Sequence, residues 1–349
     1  MLEIDGSAYS GSGAIVRQAA GFAALTGEVV HIFNVRARRP RPGLRPQHVR
    51  VIQAIEELVG GRSEGVTPGS REIVFRPGKP ISGQRFRWDI GSAGSTTAFA
   101  LALIPVIAYA RAPVSAELRG GLFQDFAPSF FHLERVVAPL LHAMGMEVGV
   151  EMIRPGYVPR GGGILRLMAR PVQAGLCPLV LKSPTEVERV WGISLASLLR
   201  ERRVAARMAE AAAAELGTAG FDAKIELIED LSSQQPGAGL ALFADLKGSR
   251  LGADQAGAPG RRAEGIGKRV ARQLLEDIRS GAALDRYAGD QMIPYAALAD
   301  GESRFEIPMI TDHVRAGAWL AKEFLGAEVT IHGRLLTIRG VGFRRRDAC

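Results

Sequence analysis

The chain has 349 residues, 47% hydrophobic and 23% charged, an ordinary globular composition whose length favours two domains or one large domain with an insertion. The formal net charge of +8 favours a polyanionic partner, although the arginine bias of a GC-rich genome gives the same charge. Two cysteines, Cys177 and Cys349, exclude a disulfide scaffold, and the longest apolar run, residues 98–110, is too short to span a bilayer. Because the chain opens with a strand-like segment and no signal peptide, we expect a cytoplasmic protein without membrane contact.

Short strands followed by glycine-containing turns and apolar helices recur along the chain. The first such segment joins a strand over 2–6 to a helix over 14–25, and the second joins a strand over 86–90 to a helix over 96–109. A third segment is predicted at 291–299. The order indicates repeated β-α-β-α-β-β units, with helices packed on one face of each small sheet. Further helices are predicted over 46–59, 129–144 and 261–280, and further strands over 29–33, 72–76, 114–119, 147–153, 164–168, 329–332 and 335–339.

The segment from 183 to 282 departs from this plan. It contains, in order, a predicted helix (204–216), a strand (223–228), a second strand (239–245), a Gly/Ala-rich loop (252–260) and the long helix. We interpret it as a small α/β domain inserted into a discontinuous large domain formed by residues 1–182 and 283–349.

Two loops rich in glycine and serine each join a strand to a helix. Residues 5–13 precede the first helix, which carries Arg17 one turn in, and residues 89–95 precede the second. Glycine lets backbone N–H groups approach an anion, and a helix N-terminus adds positive potential. Both loops are therefore candidate phosphate sites. The alternative is a tight turn and a capped helix without a ligand.

An arginine-rich loop covers residues 36–46. Its five arginines alternate with prolines, which stiffen the backbone, and stiff clusters of guanidinium groups suit phosphate recognition. Gln47 and His48 follow at the start of the next helix, where they can face the same pocket. The alternative is a solvated basic loop.

Histidine is the side chain best suited to nucleophilic or acid–base chemistry near pH 7. The chain has six, and spacing alone does not select one. No Cys-x-x-Cys, His-x-x-x-His or His-Glu-x-x-His pattern predicts zinc, and no Gly-x-Ser-x-Gly elbow occurs. The Gly265–Lys268 run is followed by arginine instead of serine or threonine, which excludes a Walker P-loop.

A series of short motifs extends over nearly the whole chain. It comprises Ile4-Asp5-Gly6-Ser7 with Ile15-Val16-Arg17, Arg36 and Arg39 with residues 42–48, residues 89–95, Gly120-Gly121 with Ala127-Pro128, residues 159–163, residues 263–267, Tyr287 with Asp290-Gln291, and Thr311 with His313. This ordered series resembles the RNA 3′-terminal phosphate cyclase family, which also includes inactive relatives that assist ribosome assembly.

The resemblance implies an α/β (α+β) fold of three β-α-β-α-β-β repeats with a smaller inserted α/β domain. It also implies ATP and Mg²⁺ (or Mn²⁺) as cofactors, and RNA 3′ ends bearing a phosphate as the partner. In the implied reaction, a histidine takes AMP from ATP, passes it to the RNA 3′-phosphate, and the 2′-hydroxyl then closes a 2′,3′-cyclic phosphate. Adenylation supplies the leaving group that a phosphate monoester lacks, and the covalent histidine divides one difficult step into easier ones.

The resemblance also assigns residues by position. His313 is the implied nucleophile. The implied nucleotide-binding residues are Tyr287, Asp290, Gln291 and Pro128. The implied phosphate and RNA-end residues are Arg17, Arg36, Arg39, Gln47 and His48. The metal ligands stay unassigned, with Asp290 and Asp312 the carboxylates nearest in sequence.

The sequence departs from the family pattern at the first loop and at several later positions. Ser10 stands where the family has an acid that helps to hold the metal, and a hydroxyl contributes less to Mg²⁺ binding than a carboxylate. Ala14 closes the altered loop, Leu101 replaces a common nucleotide-contacting glutamine, and Phe131 replaces a usual aspartate. The Thr-Asn pair common after the nucleophile is absent.

These departures leave two alternatives beside the cyclase. One is a catalytically inactive or altered-specificity relative that binds RNA, because a fold does not fix an activity. The other is an enolpyruvyl-transferase-like enzyme on similar repeats, although the motifs usual for that class are absent.

Overall fold

The computed structural model describes residues 1–79, 85–184 and 186–344. These residues form 15 β-strands and 10 α-helices in four small sheets, which confirms the predicted mixed α/β architecture. Cys177 is an exposed free thiol, whereas Cys349 lies outside the described residues.

The N-terminal unit contains β1 (Leu2–Asp5), α1 (Gly13–Thr26), β2 (Val30–Phe33), α2 (Pro46–Val59), β3 (Arg62–Glu64) and β4 (Ile73–Arg76). The strand order is β1-β2-β4-β3, and β1 and β2 are parallel. Helix α1 begins where the Ser12 hydroxyl accepts a hydrogen bond from the backbone N–H of Ala14, and it ends at Gly27, whose φ is 78°. The unit is one complete β-α-β-α-β-β repeat, and α2 has the predicted bounds.

The second unit contains β5 (Arg85–Asp89), α3 (Thr96–Ala108), β6 (Val114–Gly120), α4 (Phe130–His132), a π-helical segment (Leu133–Val137), α5 (Ala138–Ala143), β7 (Val148–Arg154) and β8 (Gly163–Ala169). Its strand order, β5-β6-β8-β7, repeats that of the first unit. The helix predicted over 129–144 therefore exists but widens into a π-turn midway, which apolar periodicity does not reveal.

The segment that follows contains β9 (Val187–Ser197), a 3₁₀ turn (Arg200–Arg202), α6 (Val204–Gly217), β10 (Ala223–Asp230), β11 (Gly237–Leu246), β12 (Ser249–Ala256) and α7 (Ala263–Arg279). The strands form one sheet in the order β10-β9-β11-β12, and α6 and α7 pack against it around their own hydrophobic cluster. The division of the chain at 183 and 282 stays a prediction.

Two details of this segment differ from the sequence analysis. Strand β9 was not predicted. The loop predicted over 252–260 is wrong for Gly252 to Ala256, which pair with β11 as part of β12. Small residues occur in this strand because helix side chains pack closely on it: a Cβ built on Gly252 would lie 2.8 Å from Cδ2 of His132.

The C-terminal unit contains α8 (Ala288–Gln291), α9 (Ile293–Leu298), β13 (Glu302–Glu306), α10 (Asp312–Leu325), β14 (Glu328–His332) and β15 (Leu335–Arg339). Its strand order is β13-β15-β14. The first strand of a third repeat is reduced to a single parallel bridge between Val180 and Arg304, just before the inserted segment. With that bridge counted, the strand order matches those of the first two units.

Helices from the three units meet in the main core. Helix α1 packs against α2, α3 and α10, and α10 packs against α9. The rings of Phe22 and Phe324 stack at 5.8 Å where α1 meets α10. This packing brings the N-terminal ends of distant elements to one cavity. Within the three described ranges, no helix combines the length and the apolarity needed to cross a membrane.

Candidate active site

One cavity collects residues from all three units. It has a volume of about 280 Å³ and lies between α1, α3, the loop before α4, the α8–α9 segment and α10. Much of its wall is apolar and includes Phe22, Leu101 and Pro105. Six of the predicted site residues line it: Arg17, Pro128, Tyr287, Asp290, Gln291 and His313. A larger cavity of about 910 Å³, between Arg85 and Arg170, contains none of the predicted site residues.

His313 is the second residue of α10. The hydroxyl of Thr311 caps this helix by accepting a hydrogen bond from the backbone N–H of Val314 at 3.3 Å, which fixes the backbone beside the histidine. The side chain is 43% exposed, and its Nδ1 lies 4.0 Å from Oδ2 of Asp290. Burial, reinforced by the charges of Arg17 and Arg39, lowers the pKa of His313. The imidazole is therefore neutral near pH 7, the state in which a ring nitrogen is nucleophilic.

Asp290 faces His313 from α8. Burial, with a contribution from the nearby Asp285 carboxylate, raises the pKa of Asp290 to about 7, although a hydrogen bond from Gln291 opposes the shift. That bond joins Nε2 of Gln291 to Oδ1 of Asp290 at 2.8 Å. Near neutral pH this carboxyl group is thus poised between its protonated and ionised forms.

Among the described residues, Asp290 is the one carboxylate that lines the cavity. The same residues contain no group of three or more His, Cys, Asp or Glu side chains arranged to hold a metal ion. Asp312, the other carboxylate considered from the sequence, is exposed at the start of α10. A single carboxylate still fits Mg²⁺ that arrives with a nucleotide, because Mg²⁺ typically uses one or two carboxylates together with phosphate oxygens and water.

Arg17 supplies positive charge to the cavity. Burial lowers the pKa of its guanidinium to about 10, opposed by Asp290 and reinforced by Arg36, so Arg17 remains protonated at neutral pH. A buried cation that faces the neutral His313 is well placed to attract an anionic group into the cavity.

The arginine-rich loop is folded back on the first glycine-serine loop. The guanidinium of Arg36 donates hydrogen bonds to the carbonyl oxygens of Arg41 and Gly43, at 2.8 and 2.7 Å. Arg39 donates to the carbonyl oxygens of Ser10 and Gly11, at 3.0 and 3.3 Å. Neither arginine lines the cavity itself. Both hold the two loops together beside it, and the Arg39 charge is close enough to affect the pKa of His313.

Gln47 and His48 also lie beside the cavity instead of lining it. Oε1 of Gln47 accepts a hydrogen bond from the backbone N–H of Ser95 at 3.1 Å and so joins the first unit to the second glycine-serine loop. His48 is buried, and its Nδ1 accepts from the backbone N–H of Arg45 at 3.0 Å. Burial, together with the charges of Arg17 and two other arginines, holds its pKa well below the ordinary value. Both residues therefore stabilise the loops around the candidate site.

A buried pair behind Tyr287 was missed by sequence reasoning. Nε2 of His132 lies 3.0 Å from Oδ2 of Asp285, and both side chains are fully buried. The Asp285 carboxylate also accepts hydrogen bonds from the backbone N–H groups of Gly252, Tyr287 and Ala288, at 2.9, 2.8 and 2.9 Å. The carboxylate thus joins α4, β12 and the start of α8. The sequence signal was an aspartate two residues before a helix, a common capping position.

The pKa values of this pair are consistent with a buried ion pair. Burial alone would lower the pKa of His132, but the Asp285 carboxylate outweighs burial and the pKa is raised. Burial alone would raise the pKa of Asp285, but His132 and the backbone donors lower it. The ring of His132 meets the ring of Tyr287 edge to face at 6.0 Å, so the pair supports the Tyr287 side chain as well as its backbone.

The positions that depart from the family pattern lie at or near the cavity. Ser10 donates its hydroxyl hydrogen to Oγ of Ser12 at 3.1 Å, in the loop that Arg39 holds. Ala14 and Leu101 line the cavity and make that wall apolar. Phe131 is buried and packs against Phe123. One further unpredicted residue, Tyr295, lines the cavity with a buried hydroxyl that has no hydrogen-bond partner among the described residues.

Three matching sheets, an inserted segment and a histidine-containing cavity between the units define a repeat-built α/β protein. Comparison with known proteins matches residues 8–331 to the family model of RNA 3′-terminal phosphate cyclase. Proteins of that name from Methanopyrus kandleri and Hyperthermus butylicus are each 40% identical, over 96% and 94% of this chain and 96% and 93% of theirs. The protein of that name from Pyrococcus furiosus is 36% identical over 95% of this chain and 96% of its own. The chain belongs to the RNA 3′-terminal phosphate cyclase family.

Proposed function

We propose that this protein uses ATP to convert an RNA 3′-terminal phosphate to a 2′,3′-cyclic phosphate through a histidine adenylate. Family membership supports the overall reaction, since the relatives bear the name of that activity. The observation that carries the mechanism is a half-exposed His313 with a lowered pKa, in one cavity with Arg17 and Asp290. A neutral imidazole beside a buried cation suits attack on a phosphoanhydride.

In the first proposed step, His313 attacks the α-phosphorus of ATP. Nδ1 is the ring nitrogen nearest Asp290, so we assign Nε2 as the attacking atom and Nδ1 as the nitrogen that carries the proton. The new N–P bond forms as the bond to the β-phosphate oxygen breaks, and pyrophosphate leaves. Asp290 would orient the ring by accepting from Nδ1 and would stabilise the cation that develops on it.

In the remaining steps, an oxygen of the RNA 3′-phosphate attacks the adenylate phosphorus, and the N–P bond to His313 breaks. The RNA 2′-hydroxyl then attacks its own activated phosphate, loses its proton, and releases AMP as the cyclic ester closes. Arg17 would neutralise charge on the phosphates within the cavity. Arg36 and Arg39 would have to exchange their carbonyl partners for phosphate oxygens as the RNA end binds.

A bound Mg²⁺ or Mn²⁺ would offset phosphate charge and favour pyrophosphate as the leaving group. Asp290 is the residue that we propose to hold it, together with oxygens of the triphosphate. Cation binding favours the ionised carboxylate, so it would lower the pKa of Asp290 from its raised value.

A second candidate is a relative with altered specificity or no catalysis that still binds RNA. Ser10 favours it, because this loop offers a hydroxyl and not a carboxylate to a metal. Leu101 also favours it, because an apolar side chain replaces a group able to contact the nucleotide by hydrogen bonds. His313 and Asp290 favour the catalytic alternative.

The decisive experiment supplies ATP, Mg²⁺ and a 3′-phosphorylated oligoribonucleotide, then analyses both the RNA end and the nucleotide. The proposal predicts a phosphatase-resistant 2′,3′-cyclic end, with one AMP and one pyrophosphate formed per end closed. His313→Ala should abolish all three products while retaining the fold. No product with ATP or GTP, with Mg²⁺ or Mn²⁺, together with unchanged RNA binding, would establish the non-catalytic alternative.

A further inference from the structure

An exposed aromatic side chain stands at the mouth of the candidate active site. Phe126 is fully exposed, at 108% of its reference accessible area. Its φ of 65° lies in the left-handed region that residues other than glycine seldom adopt. Neighbouring Phe123, Phe130 and Phe131 are all buried in the core. An aromatic ring held in water by a strained backbone is unfavourable for the free protein, so a bound ligand is the natural source of its missing contacts.

Phe126 borders two cavities at once. With Ala127 and Tyr287 it lines both the cavity that contains His313 and a second one of about 340 Å³. The first cavity is largely apolar. The second is lined by polar side chains that include Gln255 and Gln273. Phe126 and Tyr287 therefore flank the passage between an apolar space and a polar one.

Tyr287, the other aromatic residue at this passage, is held firmly. Its backbone N–H donates to Asp285 at 2.8 Å, its ring meets His132 edge to face, and its hydroxyl lies 3.5 Å from Oε1 of Gln273. The second cavity also offers unused hydrogen-bonding groups: Oε1 of Gln255 and Nε2 of Gln273 have no partner among the described residues. A fixed ring, a free ring and adjacent amides together suit a flat ligand with a polar edge.

We propose that Phe126 stacks on the nucleobase of the bound nucleoside triphosphate, which occupies the passage between Phe126 and Tyr287. This inference rests on the proposed function, which places the triphosphate against Arg17 and His313. The base faces are covered by the two aromatic rings, and the polar edge of the base points to the amides of the second cavity. Stacking accepts any nucleobase, so Phe126 contributes affinity, and the amides contribute the choice between bases.

The test compares Phe126→Ala with the wild type in ATP binding by calorimetry, in the absence of RNA and with a non-cleavable α,β-methylene analogue of ATP. Loss of one stacking contact predicts a fall in affinity on the order of tenfold. Affinity for inorganic tripolyphosphate, which has no base, should be unchanged. Phe126→Trp should retain affinity for the analogue, and its added fluorescence should be quenched on binding. Leu231→Ala, which removes another exposed apolar side chain (77% exposed) from a distant loop, is the matched control.

Each result has a defined meaning. An affinity of Phe126→Ala for the analogue within twofold of the wild type overturns the inference. So does an equal loss for the analogue and for tripolyphosphate, because that result indicates a general change of the site. A loss confined to the binding of a 3′-phosphorylated oligonucleotide also overturns it, since the stacked base would then belong to RNA. If Phe126→Ala binds the analogue normally and the wild type forms the adenylate, the proposed function stands without this inference.

Discussion

Replacing Asp285 by alanine should destabilise the protein strongly and disturb the nucleotide site. The substitution leaves His132 buried at 0% side-chain exposure without its partner. It also removes the acceptor of three buried or half-buried backbone N–H groups, those of Gly252, Tyr287 and Ala288. Removing one partner of a buried pair typically costs about 3–5 kcal/mol. The freed N–H groups overlap with that loss, so we expect a decrease in the free energy of unfolding of about 3–5 kcal/mol in total.

The effect of Asp285→Ala should depend on pH. The raised pKa of His132 means that its favourable contribution is complete below the ordinary value of 6.5 and is lost as the pH rises through the folded-state pKa. The lowered pKa of Asp285 means that its contribution is complete above 3.8 and is lost as the pH falls through the folded-state pKa. The difference between wild type and variant should therefore be largest between these two values and should shrink at higher pH.

Urea unfolding followed by circular dichroism measures this difference. Asp300→Ala is the matched control, because Asp300 is 65% exposed in its ion pair with Arg344, and exposed pairs contribute about 1 kcal/mol or less. Asp285→Asn retains the shape and one acceptor oxygen, so its loss should be intermediate. A change below about 1 kcal/mol for Asp285→Ala, equal to the Asp300→Ala control, would refute the reasoning that this pair anchors α8.

Three further predictions concern the loops beside the cavity. Arg39→Gln removes a charge that lowers the pKa of His313, so the acidic limb of the adenylation rate at saturating ATP should move to higher pH; an unmoved limb contradicts this. Ser10→Glu should raise adenylation at low Mg²⁺, and no gain in a folded variant would mean that the metal needs no second carboxylate. Gly13→Ala would bring a Cβ within 2.0 Å of Nε2 of His48, and urea unfolding should show a loss of about 1–3 kcal/mol; a neutral result would mean that the histidine moves freely.

The elements that local patterning determines were predicted well. Helix α2 has its predicted bounds because Pro46 starts it, Gly60 ends it, and an apolar stripe runs between them. Strand β12 was assigned to a loop because glycine and alanine have low strand propensity, while its pairing with β11 and the packing of His132 on Gly252 are tertiary. The π-turn after α4 likewise has no local signature.

The candidate site divides along the same line. Ordered motifs identified the residues that line the cavity, including His313 and Asp290. They did not separate these from Arg36 and Gln47, which bind loop backbone nearby, because that distinction depends on where each side chain points. The pairing of His132 with Asp285 joins residues 153 positions apart and has no signal in a single sequence. Phe126 looked like an ordinary loop residue until its exposure and backbone conformation were known.

The most direct test of the central claim is intact-protein mass spectrometry after incubation with ATP and Mg²⁺ without RNA, followed by peptide mapping. We predict a mass increase of one AMP, confined to the peptide that contains His313, lost in acid and removed by adding pyrophosphate or a 3′-phosphorylated oligonucleotide. An adduct on another residue, or an equal adduct on His313→Asn, would contradict the assignment of this imidazole as the nucleophile.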